Sequence, residues 1–60
     1  MPYWIVWKRN NEHYPQYISG TDEFGYPEHT INEQNAYHFK DFKLVIPYIN
    51  MGYKFTLRGV

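Results

Sequence analysis

The run Tyr3-Trp4-Ile5-Val6-Trp7 is apolar at all five positions, and it limits what the rest of a 60-residue chain can do. Read as a β-strand, it sends Tyr3, Ile5 and Trp7 to one side and Trp4 and Val6 to the other. A strand with one wet face alternates apolar with polar. This one does not, so both of its faces call for cover. A chain of this length buries a smaller fraction of its surface than a larger domain, and small scaffolds usually rely on disulfides, a metal or a partner chain. There is no cysteine, which excludes disulfides and thiolate metal sites. The aromatics are the compensation: seven Tyr, four Phe and two Trp, 22% of the chain, each removing roughly 150–250 Å² from water when buried. Oligomerisation is the second means of support.

Residues 1–60 read as a single domain. The first strand spans about Pro2 to Lys8, with Pro2 tolerated as a first strand residue. The polar Arg9-Asn10-Asn11-Glu12-His13 predicts a hairpin turn. A second strand follows over about Tyr14 to Ser19, and Pro15 predicts that it lies at a sheet edge. Thr21 to Ile31 reads as a loop with turn residues Asp22, Gly25 and Pro27. Phe24 and Tyr26 flank Gly25, so this loop either folds back as a lid, presents two aromatics to a partner, or caps the edge of the core. Asp41 is placed to cap a helix, and Phe42, Val45, Ile46 and Ile49 share one face of a helix over Phe42 to Met51. Gly52 stands at its C′ position. Pro47 opposes an uninterrupted helix: the helix kinks there, starts late near Leu44, or gives way to a Leu44–Ile49 strand paired with Tyr53–Leu57. The final strand, Tyr53 to Val60, alternates cleanly, with Tyr53, Phe55 and Leu57 on one side and Lys54, Thr56 and Arg58 on the other.

The order strand, strand, helix, strand predicts an α+β fold: a small three-stranded antiparallel sheet with one helix across it, β-β-α-β. The first strand belongs in the middle, between the Pro15 strand and the last strand. Ile5, Phe55, Leu57, Ile18 and Phe39 are expected beneath the helix. That leaves Trp4, Val6 and Tyr17 on the second face, an apolar patch of roughly a few hundred Å². A homodimer joined sheet to sheet would cover it; the alternative is the Thr21–Ile31 loop.

Chemistry finds little to work with. His13, His29 and His38, with Asp22, Glu23 and Glu28, lack the spacing that would place two metal ligands on one helix face. Ser19, the one serine, is not in a nucleophile elbow, and the four glycines form no phosphate loop. No cofactor is implied, and a chain this short leaves little room for an active site and its supporting shell. Nucleic-acid binding has aromatics for stacking and Lys8, Arg9, Lys54 and Arg58 for phosphates, but six basic residues are matched by six acidic ones, and the basic footprint is missing. An aromatic pocket for a nucleotide or other small molecule, at a dimer seam, is the stronger rival. No apolar run approaches the about 20 residues of a membrane span, and Met1-Pro2-Tyr3-Trp4 does not open a signal peptide, so a cytoplasmic protein is expected.

In its short Cys-free chain, its aromatic opening Tyr3-Trp4-Ile5-Val6-Trp7 and its lack of a catalytic motif, the sequence resembles the small proteins that bacteriophages encode to take over their hosts. The resemblance extends over the whole chain and transfers no site residue. It implies a protein that binds and disables a host protein, including components of antiviral defence, in the host cytoplasm. The expectation is therefore a non-enzymatic binding protein, dimeric, with Trp4, Val6, Tyr17, Phe24 and Tyr26 as anchors and Arg9 at the rim, since aromatics and Arg are the usual anchors of such surfaces.

Overall fold

The computed structural model describes residues 1–9 and 14–60; all but Arg9 of the turn expected over Arg9–His13 lies outside them. The fold is α+β, with four strands among the described residues rather than three: β1 (Tyr3–Lys8), β2 (Gln16–Thr21), β3 (Pro27–Thr30) and β4 (Lys54–Arg58) form an antiparallel sheet in the order β3-β2-β1-β4. The first strand is interior, as its apolar run predicts. The Pro15 strand is interior as well. Pro15 precedes β2 instead of interrupting its ladder, and the outer place is taken by β3.

That third strand lies within the stretch read as a loop. Asp22 organises the connection before it. Its Oδ1 accepts from the N–H groups of Phe24 and Tyr26, both at 2.9 Å, and its own N–H donates to the Tyr26 carbonyl at 2.9 Å. Gly25, at φ 87°, supplies the left-handed residue this tight turn requires. A hairpin of β2 and β3 results, with an irregularity in register between Ile18 and Gly20.

The pairing of β1 with β2 is short, Trp7 with Tyr17 and Lys8 with Gln16. Beyond it another segment takes up the freed backbone groups. Phe39 exchanges both backbone hydrogen bonds with Trp4, at 2.8 and 2.9 Å, and the Tyr37 N–H donates to the Ile18 carbonyl at 2.8 Å. Buried backbone polar groups must be satisfied, and Tyr37–Phe39 does this between the two strands.

The expected helix divides in two. Asp41 caps a 3₁₀ turn, Phe42–Leu44, by accepting from the Lys43 N–H at 3.0 Å. The α-helix proper, α1 (Ile46–Asn50), starts late and places Pro47 in its first turn, where a missing N–H costs nothing. No strand forms over Leu44–Ile49. The change of pitch resets the helical phase at Val45. Phe42 and Val45 align as i, i+3 of the 3₁₀ turn, and Val45, Tyr48 and Ile49 then align as i, i+3, i+4 of the α-helix. These four residues pack on the core, whereas Ile46, expected there, points out of phase and is exposed. The helix ends in a Schellman motif: the Gly52 N–H donates to Ile49 and the Tyr53 N–H to Tyr48, both at 2.9 Å, with Gly52 at φ 98°. The Tyr48 and Tyr53 rings complete it edge to face at 5.6 Å.

The core is Val6, Ile18, Phe39, Val45 and Tyr53, with Trp4 packed against it. The two sides of β1 are therefore assigned the opposite way from the sequence expectation: Trp4 and Val6 lie beneath the helical layer, and Ile5 lies on the other face. Alternation shows which residues share a side, but a strand apolar on both sides does not show which side the helix takes. Ile5 is nevertheless 1% exposed. It is flanked along β1 by Tyr3 and Trp7, faces Thr56 across the β1–β4 ladder, and lies under the Trp7–Thr56 hydrogen bond (Nε1 to Oγ1, 2.9 Å). Phe55 and Leu57, expected to be buried, are only half covered because β4 is the outer strand.

Candidate functional site

The residues expected to form one binding surface are spread over three places. Val6 has no exposed surface. Trp4 is half-buried, with its ring edge to face against Phe42 at 5.1 Å. An open Trp4–Val6 face, the premise for sheet-to-sheet pairing, is absent, because the helical layer covers it. Tyr17 and Arg9 lie on the opposite face of the sheet, around a shallow depression of about 120 Å³ over Ile5 and Trp7. There Arg58 donates to Glu33 through Nε at 2.7 Å and Nη2 at 3.3 Å. The Arg58 hydrogen bond, ahead of its charge, holds the Glu33 carboxyl below its ordinary range. Both side chains are exposed, so solvent screens the pair and its contribution is small.

Phe24 and Tyr26 are the most exposed of the expected anchors, at 76% and 69%. The Asp22 hydrogen bonds fix the turn that carries them, and Gly25 between them forms part of the wall of a larger groove. This groove, about 440 Å³, runs between the β2–β3 hairpin and α1, with Phe39 and Tyr48 lining it and Leu44, Pro47 and Met51 on the helical side. Leu44 is 54% exposed and Met51 60%. Both escaped the sequence reading, which put Phe42, Val45, Ile46 and Ile49 on the face of a Phe42–Met51 helix, gave Leu44–Ile49 as the rival strand, and assigned Leu44 and Met51 no surface role. The available signal was the Asp41 cap followed by Pro47: a cap six residues before a proline leaves space for a 3₁₀ turn, whose third residue then faces outward.

No protein-family model, curated protein or solved structure matches the chain. Among the described residues no group of three or more His, Asp or Glu is placed to hold a metal ion, and no helix is long and apolar enough to cross a membrane.

Of the histidines, His38 stacks on Tyr3 with centroids 3.7 Å apart. His29 Nε2 lies 2.9 Å from the Tyr53 hydroxyl. Burial, and secondarily the Lys8 charge, lower the His29 pKa below its ordinary value; the Lys8 ammonium sits over the Tyr53 ring at 5.0 Å. The unfolded chain protonates His29 near pH about 6.5, the folded chain only at lower pH. Between these two values the unfolded state binds more protons, so stability falls on acidification from about 6.5 and is fully present above it. The melting temperature is expected to drop across this window, and His29→Gln is expected to reduce the drop. Parallel melting curves of the two proteins check it; an equal drop in both would assign the effect elsewhere. Glu33 acts in a separate, more acidic window, because its lowered pKa means loss of stability only as pH falls through the carboxylate range.

Proposed function

We propose that the protein is a non-enzymatic binding module that holds an apolar segment of a protein partner in the groove between the β2–β3 hairpin and α1. The observation that carries this reading is the concentration of exposed apolar side chains at that groove. Leu44 and Met51 stand on one wall, and the turn bearing Phe24 and Tyr26 adjoins the other. Contiguous apolar surface of this kind marks interaction sites on small proteins, and aromatics held on a hydrogen-bonded turn lose little freedom when they bind. A host protein as the partner, blocked by occupation of its surface, is the form of this reading that agrees with the resemblance to phage takeover proteins.

A second reading is a small-molecule site in the same groove, because about 440 Å³ falls within the size range of ligand pockets, roughly 300–1,000 Å³. Native mass spectrometry of the protein purified from bacterial cells separates the two readings, since it distinguishes a retained small molecule from a protein partner or a second copy. The double variant Leu44→Asp, Met51→Asp then tests the groove. Both side chains are more than half exposed, so the melting temperature is expected to change little. Recovery of the partner held by the unmodified protein is expected to fall at least tenfold. Equal recovery by the folded double variant would reject the groove.

A further inference from the structure

We infer that the outer edge of β4 is a second docking site, built to receive an extended strand whose apolar residues alternate with acidic ones. The argument starts from the backbone. In an antiparallel ladder each residue directs both its N–H and its C=O to the same neighbour, and the direction alternates along the strand. Trp4 gives both of its groups to Phe39, on the side of β1 away from β4. Tyr3, Ile5 and Trp7 therefore address β4, where their partners are Arg58, Thr56 and Lys54. Phe55 and Leu57 consequently direct their N–H and C=O groups outward, along an edge that no strand among the described residues pairs. Their side chains lie on the Trp4–Val6 side of the sheet, 44% exposed each. An incoming strand would bond to the backbone of these two residues and cover their side chains.

The two edges of the sheet differ. β3 has four residues, begins with Pro27 and follows an irregular ladder, the features that blunt an edge. β4 has five residues paired with β1 in an unbroken register.

Charge selects the occupant. Lys54 and Arg58 lie on one face of β4 with Thr56 between them, and Phe55 and Leu57 lie on the other. A second copy of β4, laid antiparallel with Phe55 opposite Leu57, would set Lys54 opposite Arg58 twice, and like charges directly opposite destabilise a strand pair. A strand with carboxylates at those two positions and apolar residues opposite Phe55 and Leu57 satisfies both faces. Arg58 already holds the Glu33 carboxylate in a solvent-exposed pair; an incoming carboxylate would share or replace this weak partner, and Lys54 offers the second cation. This edge lies across the sheet from the groove, with β1 between it and the β2–β3 hairpin that walls the groove, so it is independent of the proposed function.

The test uses the whole protein, labelled with nitrogen-15, and a synthetic peptide whose centre reads Glu-Val-Thr-Val-Glu. Titration is expected to shift the Phe55 and Leu57 amide signals most. A peptide with Lys in place of both Glu is expected to bind at least tenfold more weakly, and one N-methylated at both Val residues is expected not to bind. The Leu44→Asp, Met51→Asp variant is expected to bind the first peptide as the parent does, so that failure of the groove and failure of the edge are told apart. Shifts confined to the groove, equal binding of the Lys peptide, or Phe55 and Leu57 amides already protected in a self-paired dimer would each overturn the inference.

Discussion

Val6→Asp is expected to leave no cooperatively folded protein at neutral pH. Val6 is 0% exposed and packs among Ile18, Phe39, Val45 and Tyr53, none of which is a cation. A carboxylate placed there has no counter-charge and must stay protonated for the chain to fold. Burial of this kind raises a carboxyl pKa by up to 3–5 units. Only about 3 units separate neutral pH from an ordinary aspartate pKa of about 3.9, so at about 1.4 kcal/mol per unit keeping it protonated costs about 4 kcal/mol, before the lost packing is added. A 60-residue domain has a total stability of roughly 3–9 kcal/mol, so the two together consume most or all of it. Val6→Ala, which removes only apolar contact, is expected to cost about 2 kcal/mol and to remain folded. Denaturant melts followed by near-ultraviolet circular dichroism measure both. A Val6→Asp protein that melts like the parent would mean that Ile5, not Val6, lies beneath the helical layer.

Phe39→Ala is expected to cost about 3–5 kcal/mol. The ring is 6% exposed and lies edge to face with Tyr37 at 4.8 Å and Tyr48 at 5.7 Å. Its backbone closes the gap between β1 and β2 through the two bonds to Trp4. Substitution spares those bonds but removes the side chain that anchors the segment making them. Phe39→Leu keeps most of the apolar volume and is expected to lose less than half as much. A loss below about 1 kcal/mol for Phe39→Ala, well under the usual cost of emptying an aromatic core position, would show that Tyr37–Phe39 is held by its backbone alone.

Much of the sheet was legible in the sequence because strand periodicity is simple. The alternation of Tyr3–Trp7 and the interior position of that strand are as its composition implies, and the β1–β4 ladder keeps each side's residues together. The sign of the alternation was not legible. Tyr3-Trp4-Ile5-Val6-Trp7 offers two apolar sides, and the choice between them depends on where Phe39 and Val45 arrive from elsewhere in the chain. β3 was hidden because Pro27-Glu28-His29-Thr30 has no apolar period and owes its strand form to the Asp22 turn and to β2 beside it. The helical face was half legible. Phe42, Val45 and Ile49 are where spacing puts them, but Tyr48 replaces Ile46 because a 3₁₀ turn advances the phase differently from an α-helix. The same slip turned Leu44 outward, so the groove could not be read without the pitch change. Phe24 and Tyr26 were legible as exposed aromatics, whereas Trp4 and Val6 were placed on the wrong side by the unsigned alternation.

The ladder between β1 and β4 also orders events in time. Tyr3 pairs with Arg58 and Trp7 with Lys54, so β1 acquires this neighbour only when β4 has been made. The hairpin of β2 and β3 closes over a few residues and can form early, since short loops close at low entropic cost. Ile5 stays open to water until Thr56 arrives. Pairings of such long sequence separation slow folding, and a chain halted before Lys54 would expose the aromatic strand that the finished protein buries.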